Sequence, residues 1–167
     1  MCGIVGVIEK KHFSVKNKVL KALKRMEYRG YDSVGFVTKE GIIKKQIGSI
    51  AGLLQNMEKD YEATLAIAHT RWATHGGVTQ LNAHPHSNND AQLFVCHNGI
   101  IENYQEIKVA LQKKGVIFLS QTDSEIIPHF LEEKLRAGKS MKEAIQLLME
   151  EVKGTYAILI IEKEKDV

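Results

Sequence analysis

Cys2 stands where removal of the initiator Met1 would make it the first residue of the chain. A cysteine thiol has a reference pKa of about 8.5 and a free α-amine about 7.7–8.0. In that state one residue carries both a nucleophile and, directly or through water, the general base that activates it. Position alone leaves a second reading open, in which Cys2 is a small buried hydrophobe at the start of a strand. Asn98-Gly99 is read as lying between a strand and a helix, where free backbone N–H groups and a side-chain amide can stabilise a developing oxyanion. An ordinary Asn-Gly turn is the plainer alternative.

Arg71 in His69-Thr-Arg-Trp-Ala-Thr-His75 has the planar fork that holds a carboxylate. Asp123 complements a helix N-terminus or partners an ammonium group. Trp72, the sole tryptophan, reads as a core residue when taken alone. Histidines 69, 75, 84, 86 and 97 crowd one stretch, and His84-Pro85-His86 raises a metal question. No His-Glu-x-x-His or Cys-x-x-Cys spacing accompanies them, so no metal is assigned. Cys96, mid-strand beside His97, reads as packing. No glycine-rich phosphate-binding string is present, and no cofactor is expected.

Something must hold these groups. The chain has 167 residues, 44% apolar and 26% charged, with 13 glycines and 2 prolines. Those values fit a folded globular domain and exclude collagen-like, low-complexity and disordered chains. A net charge of +3, from 23 basic and 20 acidic residues, is too balanced to point to nucleic acid. No apolar run approaches the roughly 20 residues of a membrane helix, and no basic stretch precedes a signal-like segment. Two cysteines make no disulfide framework, so the setting is expected to be cytoplasmic, away from membranes.

Periodicity and turn residues predict a strand at 3–8, then a helix opened by Ser14 with Val15, Val19, Ala22, Leu23 and Met26 on its inner face. A hairpin at 33–38 and 42–47 follows, turning at Glu40-Gly41. Then come a short helix at 49–58 and a strand at 64–69. The run from Thr70 to Ala91 lacks periodicity, and loops of that length are usually functional or disordered. A strand from Gln92 to Cys96 precedes a helix at 102–114 and a brief strand. Thr122-Asp-Ser-Glu125 and Ser140-Met-Lys-Glu143 match capping boxes for helices reaching about Arg136 and Val152. Pro128 is expected to bend the first of these, and a strand from Thr155 to Glu162 follows. The pattern is one domain mixing helices with hairpin-connected strands.

Several strings, in order along the chain, carry a resemblance. They are Met1-Cys-Gly-Ile-Val-Gly6, Glu27-Tyr-Arg-Gly-Tyr-Asp-Ser33, His69-Thr-Arg-Trp-Ala-Thr-His-Gly76, Asn82-Ala-His-Pro-His86, His97-Asn-Gly-Ile-Ile-Glu-Asn103 and Thr122-Asp-Ser-Glu125. Together the chain resembles the glutaminase domain of the glutamine–fructose-6-phosphate aminotransferases, within the class II, N-terminal-nucleophile glutamine amidotransferases. The resemblance implies an α+β fold, a four-layer α-β-β-α sandwich of two antiparallel sheets.

It also implies site roles. Cys2 would attack the glutamine side-chain amide and form a glutamyl thioester, with its amine as base and then acid. Asn98 and the Gly99 N–H would form the oxyanion hole. Arg71 would hold the substrate carboxylate and Asp123 its ammonium. Thr74 and His75 would line the pocket on a loop that closes over glutamine. Arg29 would position the nucleophile end, and Trp72 would gate ammonia.

Residues 1–167 are accordingly expected to be a type 2 glutamine amidotransferase domain with an incomplete C-terminal end. Fructose 6-phosphate would bind an isomerase region that this sequence does not contain. Ending short of the family's last glutaminase strands would leave one sheet with an unpaired edge. A retained Met1 would lock the catalytic amine in a peptide bond. Two other readings of the residues stay open, a silent glutamine-binding regulatory module and a histidine-rich metallohydrolase.

Overall fold

β-Branched and small apolar residues alternate along the strands, and the alternation sorts them onto two faces. In the computed structural model, which describes residues 2–73 and 75–163, one sheet has four antiparallel strands. These are β1 (Gly3–Ser14), β2 (Ser33–Thr38), β3 (Ile43–Ile47) and β4 (Glu62–Arg71), ordered β1-β4-β2-β3. A second sheet contains β5 (His86–Ser87), β6 (Leu93–Ile101) and β7 (Gly154–Glu162), ordered β5-β6-β7.

Val34 and Phe36 of β2 and Ala66 and Ala68 of β4 face a helical side, packing with Val15, Val19, Leu20, Leu23, Ile50 and Leu53. Their strand neighbours Val37 and Ile67 face the other way, against Phe94 and Cys96 of β6 and Ile161 of β7. Leu93, Val95 and Ile101 of β6 point outward again to Leu111, Ile126, Ile127, Phe130, Leu131, Ala144 and Leu148. Those last residues lie on or beside α3 (Tyr104–Gln112), α4 (Ile126–Arg136) and α5 (Met141–Glu151). Helices, sheet, sheet and helices are therefore stacked around three apolar layers, the α+β sandwich expected from the resemblance.

Several local expectations change. The helix after Ser14 is a composite of a π-helical turn at Lys16–Leu20, α1 (Lys21–Lys24) and a 3-10 turn at Glu27–Arg29. The wider first turn lets adjacent Val19 and Leu20 share the buried face. Ser14 Oγ still accepts from the Asn17 N–H, at 2.9 Å. Strand β1 runs past residue 8, with a register shift between Ile8 and Phe13. The next helix, α2, is the shorter Ile50–Gln55.

The strand expected to stop at Cys96 continues to Ile101, because β7 pairs with it through Ile101↔Gly154. The brief strand after Gly115 is absent. There the Ile117 and Leu119 N–H groups are taken by Asn89 Oδ1 and Glu125 Oε1 instead. Ser140 and Glu143 form their reciprocal capping box. Thr122 and Glu125 do not: Glu125 is itself the N-cap of α4, without a side-chain cap bond. Pro128 is then the third residue of α4, where its missing N–H would have had no intrahelical acceptor. Proline at this position therefore removes no hydrogen bond from the helix. Among the described residues no helix is long and apolar enough to cross a membrane.

Candidate active site

Strand register brings the first residues of the chain to the middle of the molecule. β1 lies antiparallel to β4 with Gly3 opposite Thr70, and β4 pairs on its other side with β2, Ser33 opposite Arg71. Cys2, one residue before β1, falls beside the end of β4. Its Sγ accepts the Trp72 backbone N–H at 3.2 Å and lies 3.7 Å from the Trp72 carbonyl oxygen. A close approach beneath this turn leaves no room at Gly30, where a Cβ would sit 2.7 Å from the Arg71 carbonyl carbon. Asp32 Oδ2 accepts the Ala73 N–H at 2.8 Å and anchors the departing loop.

The second sheet closes over the same point. Asn98 Nδ2 of β6 donates to the Cys2 carbonyl oxygen at 3.1 Å, and Asn98 Oδ1 is 2.8 Å from His69 Nε2 of β4. Asn98 and Gly99 are not at a strand–helix junction, as the Asn-Gly signal suggested, but inside β6, opposite Ala157 and Tyr156 of β7. Strand alternation turns the N–H groups of residues 97, 99 and 101 toward one edge. Two of them identify that edge: His97 N–H donates to His84 Nδ1 at 3.4 Å and Ile101 N–H to Asp123 Oδ2 at 2.8 Å. Gly99 lies between them.

Gly99 has φ of 137°, and a Cβ built on it would fall 1.9 Å from the Thr155 carbonyl oxygen. Only glycine meets both conditions. Gly99→Ala is expected to lose about 3 kcal/mol or more of stability, read as a lowered denaturation midpoint. An unchanged midpoint would show that β6 and β7 tolerate a Cβ there.

Cys2, Arg71, Trp72, His75, His84, His97, Gly99, Thr122, Asp123 and Ser124 line one small cavity of about 30 Å3. Arg71 and Asp123 are buried. The Arg71 guanidinium does not stand free as an open fork: it donates to the carbonyls of His75, Gly76 and Gly77, the last at 3.1 Å. Burial lowers its pKa, against the pull of Cys2, Asp32 and Asp123. The loop it grips is also held from outside. Asn82 Nδ2 donates to Gly77 O at 2.9 Å, and Asn82 Oδ1 accepts the Gln121 N–H at 2.9 Å.

Trp72 is 46% exposed, tilted against Tyr31, which overturns the core reading. It follows Arg71, the last residue of β4, and its side chain lies outside the sandwich. Arg29 sits on the 3-10 turn and is not among the residues around this cavity. Thr74 and Met1 lie outside the described residues.

Four residues around the cavity carried no site role in the sequence: His84, His97, Thr122 and Ser124. His97 Nδ1 is 2.7 Å from Ser124 Oγ, which donates to Asp123 Oδ1 at 3.4 Å. His86 Nε2 is 3.0 Å from Thr122 Oγ1, and Ser120 Oγ, 3.0 Å from that hydroxyl, donates to Glu125 Oε2 at 2.6 Å. Burial tends to raise the Glu125 carboxyl, but hydrogen bonds from Ser120 and Leu119, with His129 at 3.9 Å, hold it at about 2. His69 stacks on His84 at 4.1 Å and His84 meets His86 edge-on at 4.5 Å. Histidine density was the available signal, and it raised a metal question without assigning these four residues a role. Among the described residues no three His, Cys, Asp or Glu side chains converge in metal-binding geometry. Cys96 is fully buried in the inter-sheet layer, as its strand position suggested, and burial pushes its thiol pKa up.

A thiol near the chain's start thus stands beside an amide, a buried cation and a buried carboxylate. Residues 55–167 match the model of the glutamine amidotransferase domain. The chain belongs to that family. This amidotransferase domain is 44% identical, over 98% of its length, to 28% of the glutamine–fructose-6-phosphate aminotransferase (isomerizing) of Methanococcus maripaludis. It is 42% identical, over 96% of its length, to 27% of the protein of that name from Pyrococcus horikoshii. It thus spans little more than a quarter of these curated relatives. Among solved structures, the glutamine phosphoribosylpyrophosphate amidotransferase of B. subtilis superposes with a TM-score of 0.80 at 28% identity, covering 96% of this chain and 35% of that one. The amidotransferase domain therefore shares its two-sheet architecture with a chain whose name differs from that of the curated relatives.

Proposed function

We propose that this domain hydrolyses the side-chain amide of glutamine to glutamate and ammonia through a thioester on Cys2. The ammonia would serve glucosamine 6-phosphate synthesis from fructose 6-phosphate, on an isomerase region lying outside this sequence, in the cytoplasm. Residues 1–167 act as one type 2 amidotransferase unit in this reading. The observation that carries it is the convergence of Cys2, Gly99, Arg71 and Asp123 on one polar cavity, which no single strand or loop could assemble.

The thiolate attacks the amide carbon, and the carbonyl oxygen becomes an oxyanion facing the Asn98 amide and the Gly99 N–H. The Cys2 amine, free once Met1 is removed, takes the thiol proton and passes it to the leaving nitrogen, so ammonia departs as the thioester forms. Water then attacks the thioester and releases glutamate. Asp123 pairs with the substrate ammonium and Arg71 with its carboxylate, so free glutamine is preferred to a peptide-bound one. A cavity of about 30 Å3 has room for little more than a water. Binding glutamine therefore requires the His75–Gly77 carbonyls to move off the Arg71 guanidinium, with Thr74 and His75 then lining the enlarged pocket. In this reading Trp72, exposed beside the thiol, would gate ammonia, and Arg29 would help to position the nucleophile end.

The deciding measurement is glutamate release from glutamine by protein whose N-terminal residue has been established by mass spectrometry. No release from chains that begin at Cys2 would overturn the proposal. Asn98→Ala, which removes one oxyanion donor, is expected to lower kcat by about 10²–10³-fold, with KM for glutamine nearly unchanged.

A further inference from the structure

The Asn98 amide can help at Cys2 only if its NH2 end, not its oxygen, faces the nucleophile. The amide itself is nearly symmetric in shape, so something else must choose. His69 Nε2 lies 2.8 Å from Asn98 Oδ1 and 3.1 Å from the His97 carbonyl oxygen. A backbone carbonyl can only accept, so the favourable arrangement places a hydrogen on Nε2. An imidazole N–H there requires oxygen at the facing end of Asn98, which turns Nδ2 toward Cys2, where it donates to the Cys2 carbonyl at 3.1 Å. That leaves the second N–H of the same amide for an oxyanion.

The imidazole is held to this task. It is buried, its face stacks on His84 at 4.1 Å, and Nδ1 has no hydrogen-bond partner among the described residues. Burial keeps the ring neutral, with a pKa lowered to about 3. A protonated ring would need an acceptor at Nδ1 that the described surroundings do not supply.

We propose that His69 is a positioning residue for amide hydrolysis: as the neutral Nε2–H tautomer it locks the Asn98 side chain in the orientation that presents N–H to the Cys2 site. This rests on the glutaminase reading above. His69 touches neither thiol nor substrate in this role; its effect passes entirely through Asn98.

That restriction makes it testable. His69→Leu should lower kcat for glutamate release by about 10–100-fold, less than or equal to the loss in Asn98→Ala. KM for glutamine should stay within about twofold, since Arg71 and Asp123 are untouched. His69→Gln, whose amide N–H can reach the same point, should recover most of the loss. His69→Asn, with a shorter reach, should not. In an Asn98→Ala background, His69→Leu should add less than about threefold, because two changes acting through one group do not multiply.

A loss that multiplies in the double variant, or a Gln variant no better than Asn, would overturn the assignment. Should the Leu variant fail to fold, the contrast between the Gln and Asn variants decides the question by itself. No glutamate release from chains that begin at Cys2 would instead remove the glutaminase reading, and full activity in Asn98→Ala would remove the oxyanion role through which His69 is argued to act. Loss in both single variants with multiplicative His69 effects would remove only this inference.

Discussion

Cys2→Ala is expected to abolish glutamate release, lowering kcat by at least about 10⁴-fold while leaving the fold intact. Removing a covalent nucleophile from such a site leaves only binding and oxyanion stabilisation, the residual typical of nucleophile knock-outs. The side chain is half-buried, and among the described residues its hydrogen-bond contacts are to the Trp72 backbone. Truncation therefore removes little packing, and the thermal midpoint should move by no more than a degree or two. Glutamine should still bind, because Arg71 and Asp123 remain. Calorimetric binding without turnover is the expected signature of the variant. Chains that retain Met1 should be equally inactive with the thiol intact, since the amine would be tied up in a peptide bond. Mass spectrometry beside the activity assay separates the two causes. Substantial activity in Cys2→Ala would end the thioester mechanism outright.

Acid should unfold the domain well above the pH at which carboxylates titrate. Burial lowers the pKa of His69 to about 3, holds His84 and His86 well below the usual value, and lowers His97. Lys45, itself lowered to about 8 by burial, adds its positive field at His84 and His86. Each imidazole is neutral in the fold and protonates near pH 6.5 once unfolded. Stability from these groups is thus fully present above about pH 6.5 and is lost as pH falls from there toward the folded-state values.

Each contributes a slope of up to about 1.4 kcal/mol per pH unit. His69, His84 and His86 acting together reach the 5–15 kcal/mol range of a typical domain within about two units, and His97 adds in the same direction. Glu125, held at about 2, adds to the loss only below its unfolded pKa near 4.3. Thermal midpoints should fall steeply from pH 7 to 5, with unfolding at room temperature near pH 5. Circular dichroism melts across that range would check it, and a flat midpoint between pH 7 and 5 would show that the histidines find charge partners on protonation.

The strands of the first sheet and the two long helices after residue 120 were readable, because alternation and helical spacing are local properties of consecutive residues. Asn98-Gly99 misled at that level. A turn signal was overridden when β7, more than fifty residues later, supplied a pairing partner that holds glycine at positive φ. Thr122-Asp-Ser-Glu125 misled in the same way. Glu125 has richer partners in Ser120 and Leu119 than in its own helix start, and Asp123 turns instead to the Ile101 N–H. Trp72 looked like core because apolar side chains usually are, yet the direction a chain takes on leaving a strand is set by what lies beneath it.

The sequence by itself determined which chemistry was available: a thiol one residue from the start, an amide–glycine pair, a buried-type cation and acid, and a crowd of imidazoles. It also determined the ordered strings by which the family is recognised. Only the tertiary structure decided that Cys2 and Asn98, ninety-six positions apart, touch across two sheets. It alone stacked His69 on His84 and His84 against His86, with His97 beside Ser124, in a buried layer behind the thiol. The reason is that hydrogen-bond direction and desolvation depend on neighbours in space. A residue's type limits what it can donate or accept, but which atom faces it, and how far water is excluded, is settled when the two sheets close on each other.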